Sequence, residues 1–259
     1  DESLHVVADK ITRLGYNGVE LKGDLSLYTA AEVQSILRGH GLEVFSITPE
    51  NVDLAHPAEP IRQDALSYYL RLLDFAAELG RPTISCHGLI GRIAFADSPA
   101  KEQDRLAQSV LQIAREAKSR DLDIVMEALN RYESHQLNTA AAALTFVNEL
   151  GIDNVGVLID AYHMNIEEAD PVEAIQTAGG KLWLYHAADS NRQAIGRGHI
   201  DFAAQLQALN SIRYQGPIIV ECTAPGPNPF VPIKDEQSHH WLETYLQESK
   251  TWFDQQHIV

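Results

Sequence analysis

The chain has 259 residues, 45% of them hydrophobic, and a formal net charge of −16 from 20 basic and 36 acidic residues. That length suits one (β/α)8 barrel, about 250 residues, and allows a full hydrophobic core. No run of about 18 apolar residues is present, so no membrane span is expected, and the acidic balance argues against a nucleic-acid partner.

The predicted elements alternate from helix to strand. Leu4, Val7, Ala8, Ile11 and Leu14 have helical spacing, with Ser3 to cap the helix and Gly15 to end it. GVELK at 18–22 reads as a strand. Thr29 and Glu32 form a capping box before Val33, Ile36 and Leu37. LEVFSIT at 42–48 is the next strand, and Ala65, Leu66, Tyr69, Leu72, Leu73 and Ala76 mark a long helix. TISCHG at 83–88 precedes a helix carrying Leu106, Val110, Ile113, Ala114 and Ala117.

The second half repeats the pattern. A strand at 123–129 leads to a helix from Thr139 to Leu150, and a strand at 155–160 leads to a helix opened by Asp170 and Pro171. A strand at 182–187 precedes a helix capped by Asp201. The last strand, 217–223, is followed by the loop APGPNPFVP and a helix from Trp241 to Trp252. No composition break marks a boundary, so residues 1–259 are expected to form one domain.

Strands separated by helices imply an α/β fold with a parallel sheet. Seven strands are visible, not eight, and the first element is a helix. The expectation is a (β/α)8 TIM barrel whose first strand lies upstream of Asp1 and is missing from this chain. An open or seven-stranded barrel is the alternative. Cys86 and Cys222 both fall in apolar strands. Two buried thiols in a chain this long fit a reducing compartment, the cytoplasm, rather than a disulfide scaffold.

Four successive predicted strands end in Glu127, Asp160, His186 and Glu221. Strand side chains alternate faces. Val125 and Glu127 therefore share a face, as do Gly156, Leu158 and Asp160, then Leu182, Leu184 and His186, then Ile219 and Glu221. In a closed barrel all four would meet at the C-terminal face, where such folds keep their chemistry. One acidic strand end is usually a cap or a solvated loop residue. Four in succession point to one divalent metal, because coordination offsets the cost of burying a carboxylate. Three carboxylates and one imidazole favour Mn²⁺, Mg²⁺ or Co²⁺ over a thiolate metal.

Loop residues beyond these strands can line the mouth. Glu133, His163 and Arg192 are positioned to hydrogen-bond a polyol, or else stand in water as ordinary loop side chains. His87 ends TISCHG on the same face as Ser85 and reads as a donor behind the site, a substrate contact or a satisfied core histidine. Glu20 would support the floor of the site, and Lys22 is a weak Schiff-base candidate without a desolvated setting. His135 and His199 read as loop residues. No GxGxxG-type phrase is present, so no nucleotide cofactor is expected.

MEALNRYE, LIDAYHMNIEE, HAADSNRQAIGRGHID and IVECTAPG resemble the ketose 3-epimerases of the D-tagatose 3-epimerase type, within the xylose isomerase-like TIM-barrel superfamily. The resemblance is clearest from about residue 120 to 225. It implies that Glu127, Asp160, His186 and Glu221 bind one Mn²⁺-like ion and that Glu127 and Glu221 are the acid–base pair. It also implies that Glu133, His163 and Arg192 contact substrate. The phrase ECTAPGPNPF departs from the free-ketose pattern, and the loop phrases are as close to epimerases of oxidised glycosides.

The expected reaction is inversion of a carbon beside a sugar carbonyl, by proton transfer through an enediolate. An aldose–ketose isomerase or a keto-sugar dehydratase on the same scaffold would begin with the same step. A hydrolase of the endonuclease IV type would need three metals, more histidines and a basic footprint. A silent sugar-binding protein is a further alternative. The expected partners are a small-molecule sugar and other copies of the chain, with no nucleic acid and no membrane.

Overall fold

The computed structural model describes residues 2–228, 230, 231 and 233–256. Pro229 and Pro232 of the loop after the last strand lie outside the described residues. Among those described, seven parallel strands form one sheet in chain order: β1 (Gly18–Lys22), β2 (Glu43–Thr48), β3 (Thr83–Cys86), β4 (Ile124–Glu127), β5 (Val155–Asp160), β6 (Leu182–Ala187) and β7 (Ile218–Val220). Each strand pairs with the next, and β7 does not pair with β1. This is the strand count the sequence predicts, in a nearly closed barrel. Among the described residues, no helix is long and apolar enough to cross a membrane.

The helices are α1 (Leu4–Arg13), α2 (Ala30–Gly39), α3 (Glu59–Glu78), α4 (Pro99–Lys118), α5 (Ala140–Leu150), α6 (Ala161–Glu167), α7 (Pro171–Ala178), α8 (Phe202–Ser211) and α9 (Ser238–Gln255). Their starts follow local chemistry. Ser3 accepts from the Val6 N–H, Thr29 and Glu32 form the full capping box, and Asp170 and Asp201 cap α7 and α8. The short helix α6 has no counterpart in the sequence reading. Asp160 starts it by accepting from the Tyr162 N–H at 2.8 Å.

The main core lies between sheet and helices. Val19, Leu21, Ile47, Ile84, Ile124, Met126, Val155, Val157, Ile159, Tyr185 and Ala187 point outward into it. A second, small cluster of Val125, Leu158 and Leu184, with Ile219 against it, fills the barrel interior. These residues lie two positions before Glu127, Asp160, His186 and Glu221, so the predicted alternation places an apolar floor beneath the four.

The alternation fails at one position. Leu182 belongs to the outer core, not to the inner face shared by Leu184 and His186. The register explains this: Val157 pairs with Leu182 but Leu158 pairs with Leu184, so Trp183 is an extra residue in β6. Such a bulge flips the faces on either side of it. The Trp183 ring lies against Gly156, where a Cβ would come within 2.3 Å of it.

Candidate metal centre

The four predicted ligands converge. Glu127, Asp160, His186 and Glu221 each offer one donor atom, and these atoms all lie within 4.8 Å of one another. Asp160 and His186 are direct partners in the β5–β6 ladder. Glu221 stands one residue beyond β7, where its N–H continues the pairing to the Ala187 carbonyl at 3.1 Å. Its side chain is 37% exposed, whereas those of Glu127, Asp160 and His186 are 8%, 0% and 2% exposed. Glu221 therefore faces the mouth and the other three form the floor.

The electrostatics of this ring suit a cation. Burial pushes Glu127 up to about 8, with Glu221 and Asp160 adding repulsion against the pull of His186. Its closest imidazole nitrogens, on His163 and His186, are both 3.9 Å away. Burial likewise pushes Asp160 up to about 6, although Arg192 pairs with it. Packing also opposes charge on Glu221, but Arg192 and His186 prevail and hold it below the ordinary carboxylate range. Three buried or half-buried carboxylates around one imidazole form a donor set that fits a hard or borderline divalent ion.

His186 is held from both sides. Its Nδ1 lies 3.0 Å from Glu221 Oε2 and its Nε2 lies 3.2 Å from Glu20 Oε2. Burial works against a charged ring, but Glu20 and Glu221 raise its pKa well above the ordinary value. Glu20 in turn accepts from Ser46 and from Thr48 Oγ1, the latter at 2.8 Å. A carboxylate behind a ligating histidine is the usual device that orients the ring. This floor position is the one the sequence reading gave Glu20.

The predicted mouth residues are also brought together. Arg192 Nη1 reaches Asp160 and lies 3.4 Å from Glu221 Oε2, and its guanidinium stacks 4.5 Å from the Tyr162 ring. The Arg192 backbone is left-handed, φ 60°, a conformation that costs a non-glycine residue energy and needs support around it. Asp189 supplies that support. It is fully buried and accepts from the N–H groups of Ser190, Gly196 and Ile200, and its carbonyl accepts from the Arg192 N–H at 2.7 Å. Gly198 packs against the same carboxylate, where a Cβ would come within 2.2 Å of Oδ1.

His163 is 2% exposed and burial holds its ring neutral, pushed down to about 3. Its Nε2 lies 3.7 Å from Asp160 Oδ2. Glu133 is tied to Asn130 Nδ2 at 2.8 Å. His87 is buried, and its Nδ1 lies 2.8 Å from the Gly88 carbonyl. A carbonyl only accepts, so that ring carries its proton on Nδ1 and keeps Nε2 as an acceptor.

The other candidates stand apart. Lys22 is 69% exposed and pairs with Asp24, so it lacks the desolvated setting that Schiff-base chemistry needs. His199 meets Ser190 in its own loop. His135 sits in a network with Glu102 and the Arg92 carbonyl. Sequence reasoning missed Asn130 and Asp189. Asp189 carries a turn signal, an acidic residue followed by Ser-Asn, whereas nothing local marks Asn130.

A nearly closed parallel α/β barrel with a carboxylate–imidazole ring at its strand ends defines a class of enzymes. The family model described as xylose isomerase-like TIM barrel matches residues 8–252, and the chain belongs to that family. A D-psicose 3-epimerase of Ruminiclostridium cellulolyticum is 30% identical over 228 residues, 82% of this chain and 76% of that protein. A 3-dehydro-D-guloside 4-epimerase of Escherichia coli is 28% identical over 242 residues, 90% of this chain and 92% of its own. The crystal structure of a D-psicose 3-epimerase with D-tagatose from Clostridium cellulolyticum matches with a TM-score of 0.87 at 26% identity, covering 99% of this chain and 94% of that one. The chain is an enzyme of the isomerase class, an epimerase like these relatives.

Proposed function

We propose that this enzyme is a metal-dependent epimerase that inverts a carbon beside the carbonyl of a ketose or keto-sugar derivative. The observation that carries the reading is the placement of Glu127 and Glu221. They stand three strands apart around one barrel, yet belong to one ring of donor atoms within 4.8 Å. A divalent ion held by Glu127, Asp160, His186 and Glu221 would supply Lewis-acid stabilisation of the negative charge that develops on the sugar. The donor set suits Mn²⁺, Mg²⁺ or Co²⁺ rather than a thiolate metal, and Mn²⁺ is the ion we propose.

The remaining roles fall to side chains of the chain. One glutamate removes the proton from the carbon beside the carbonyl, and the other delivers a proton to the opposite face of the enediolate. Each must stand within hydrogen-bond reach of its proton. Arg192 keeps a fixed positive charge beside Asp160 and Glu221 and, with His163, faces the sugar oxygen that gains charge. Glu133 and the Nε2 acceptor of His87 take sugar hydroxyls.

Two substrate classes have support. The D-psicose 3-epimerase relative favours a free ketose. The fuller mutual coverage of the 3-dehydro-D-guloside 4-epimerase, together with the CTAPGPNPF loop after Glu221, favours an oxidised glycoside. Incubation of the Mn²⁺-loaded protein in D₂O with free ketoses and with 3-keto-glycosides decides between them. The expected result is an epimer carrying deuterium at the inverted carbon. Absence of both epimer and exchange across both classes would sink the reading. We also read residues 1–259 as one domain acting as a homo-oligomer in the cytoplasm; the two free cysteines support a reducing compartment, and sedimentation tests the assembly.

A further inference from the structure

The loop after β4 holds a residue that none of these roles uses. Asn130 is 1% exposed, and all of its polar atoms are engaged. Its Nδ2 donates to Glu133 Oε1 and to His163 Nδ1, both at 2.8 Å. Its Oδ1 accepts from the Tyr132 N–H at 2.9 Å, which fixes the orientation of the amide. Its backbone N–H also points at His163 Nδ1, at 3.3 Å. Its carbonyl accepts from the N–H groups of Glu133 and Ser134.

Two donors aimed at one ring nitrogen leave that nitrogen a single state. A proton on His163 Nδ1 would face two others, so Nδ1 is the acceptor and the ring proton sits on Nε2. That Nε2 faces the carboxylate ring, 3.7 Å from Asp160 Oδ2 and 3.9 Å from Glu127 Oε1. We propose that Asn130 is a positioning residue that locks His163 as the Nε2–H tautomer and so makes it a fixed hydrogen-bond donor toward the sugar oxygen where negative charge develops. This rests on the epimerase reading for the identity of that oxygen, but the lock itself does not.

The consequence is a division of labour between two histidines. His87 offers an acceptor at Nε2 and His163 offers a donor at Nε2, because the partners of their Nδ1 atoms have opposite character. A keto-sugar presents both a carbonyl that accepts and hydroxyls that donate. A donor set in place before the reaction costs no reorganisation when charge appears. The same amide ties down Glu133, so one buried side chain orients two mouth residues.

Asn130→Asp would replace the Nδ2 donor with an oxygen that only accepts. The charged carboxylate, at the 2.8 Å side-chain contact, would outweigh the backbone N–H that remains at 3.3 Å and draw the His163 proton to Nδ1, so Nε2 would change from donor to acceptor. The test is a two-bond ¹H–¹⁵N correlation spectrum of the full chain, without metal or sugar, at pH 7. His163 is assigned by comparison with His163→Gln. The expected result is Nε2–H at His163 in the natural chain and conversion to Nδ1–H in Asn130→Asp. In the metal-loaded enzyme, Asn130→Asp should lower kcat by about 10²–10³-fold, the effect of losing one such donor, with KM changed only a few-fold. In the His163→Gln background the same substitution should add little, because coupled residues are not additive. Nδ1–H or a mixed tautomer at His163 in the natural chain overturns the proposal whatever the variants do. So does Asn130→Asp with Nε2–H retained, or with the tautomer switched and kcat unchanged.

Discussion

Glu20 accepts from His186 Nε2 and reaches no other ring residue by hydrogen bond. Glu20→Gln keeps an acceptor there but removes the charge. Affinity for Mn²⁺ should fall about 10- to 100-fold, measured by competition with a chelating dye, and unchanged affinity would mean that Glu20 only packs. His186→Ala and Asp160→Ala each remove a proposed ligand. Elemental analysis after dialysis should find metal content sharply reduced in both, and full occupancy in both would remove the four-residue assignment. Glu127→Gln and Glu221→Gln test the two-base reading. Each should lower epimerisation about 10²–10⁴-fold while the intact glutamate still exchanges the proton on its own face. NMR of each stereoisomer in D₂O reads that exchange; full activity in both variants is the result that contradicts two bases.

Among the elements, β6 shows how local pattern and packing part company. Alternation alone puts Leu182 with Leu184 and His186, and the bulge at Trp183 puts it in the outer core instead. The ring that causes this lies against Gly156, so the glycine is required by close approach. Gly156→Ala should cost about 1–3 kcal/mol by overpacking, seen as a lowered Tm. A Tm equal to that of the natural chain would mean the Trp183 ring swings clear without loss. Helix starts, by contrast, were legible because caps are local: Ser3, Thr29, Asp170 and Asp201 each bond an N–H within three residues. The helix α6 was missed because Asp160 carries two roles, cap and candidate ligand, and the sequence signal was spent on the second.

For the whole molecule, the proposed metal site should couple ion binding to pH. Ligation requires Glu127, Asp160 and His186 to be unprotonated on the coordinating atom. In the ion-free protein, burial pushes Glu127 up to about 8 and Asp160 up to about 6, and Glu20 and Glu221 keep the His186 ring charged above its ordinary range despite its burial. At pH 7 each ion bound should therefore expel about two protons, from Glu127 and His186. Affinity should rise with pH through 6 to 8. Titration calorimetry in buffers of different ionisation enthalpy measures the protons released, and a pH-independent affinity would contradict this electrostatic account. The Glu20–His186 contact also joins β1 to β6 across the interior, 166 residues apart in sequence, where β7 and β1 do not pair.

The order of the strands and of every helix except α6, the inward face of four strand ends and the identity of the four convergent residues were determined by the sequence alone. Period-2 alternation and local caps carry that information in neighbouring residues. Only the tertiary structure decided how these groups act on one another. The hold of Glu20 on His186 and the two donors that Asn130 aims at His163 link residues on different elements of the chain. Proton positions and charge states follow from distances between such partners and from water excluded around them. Neither quantity is written in the spacing of residues along the chain.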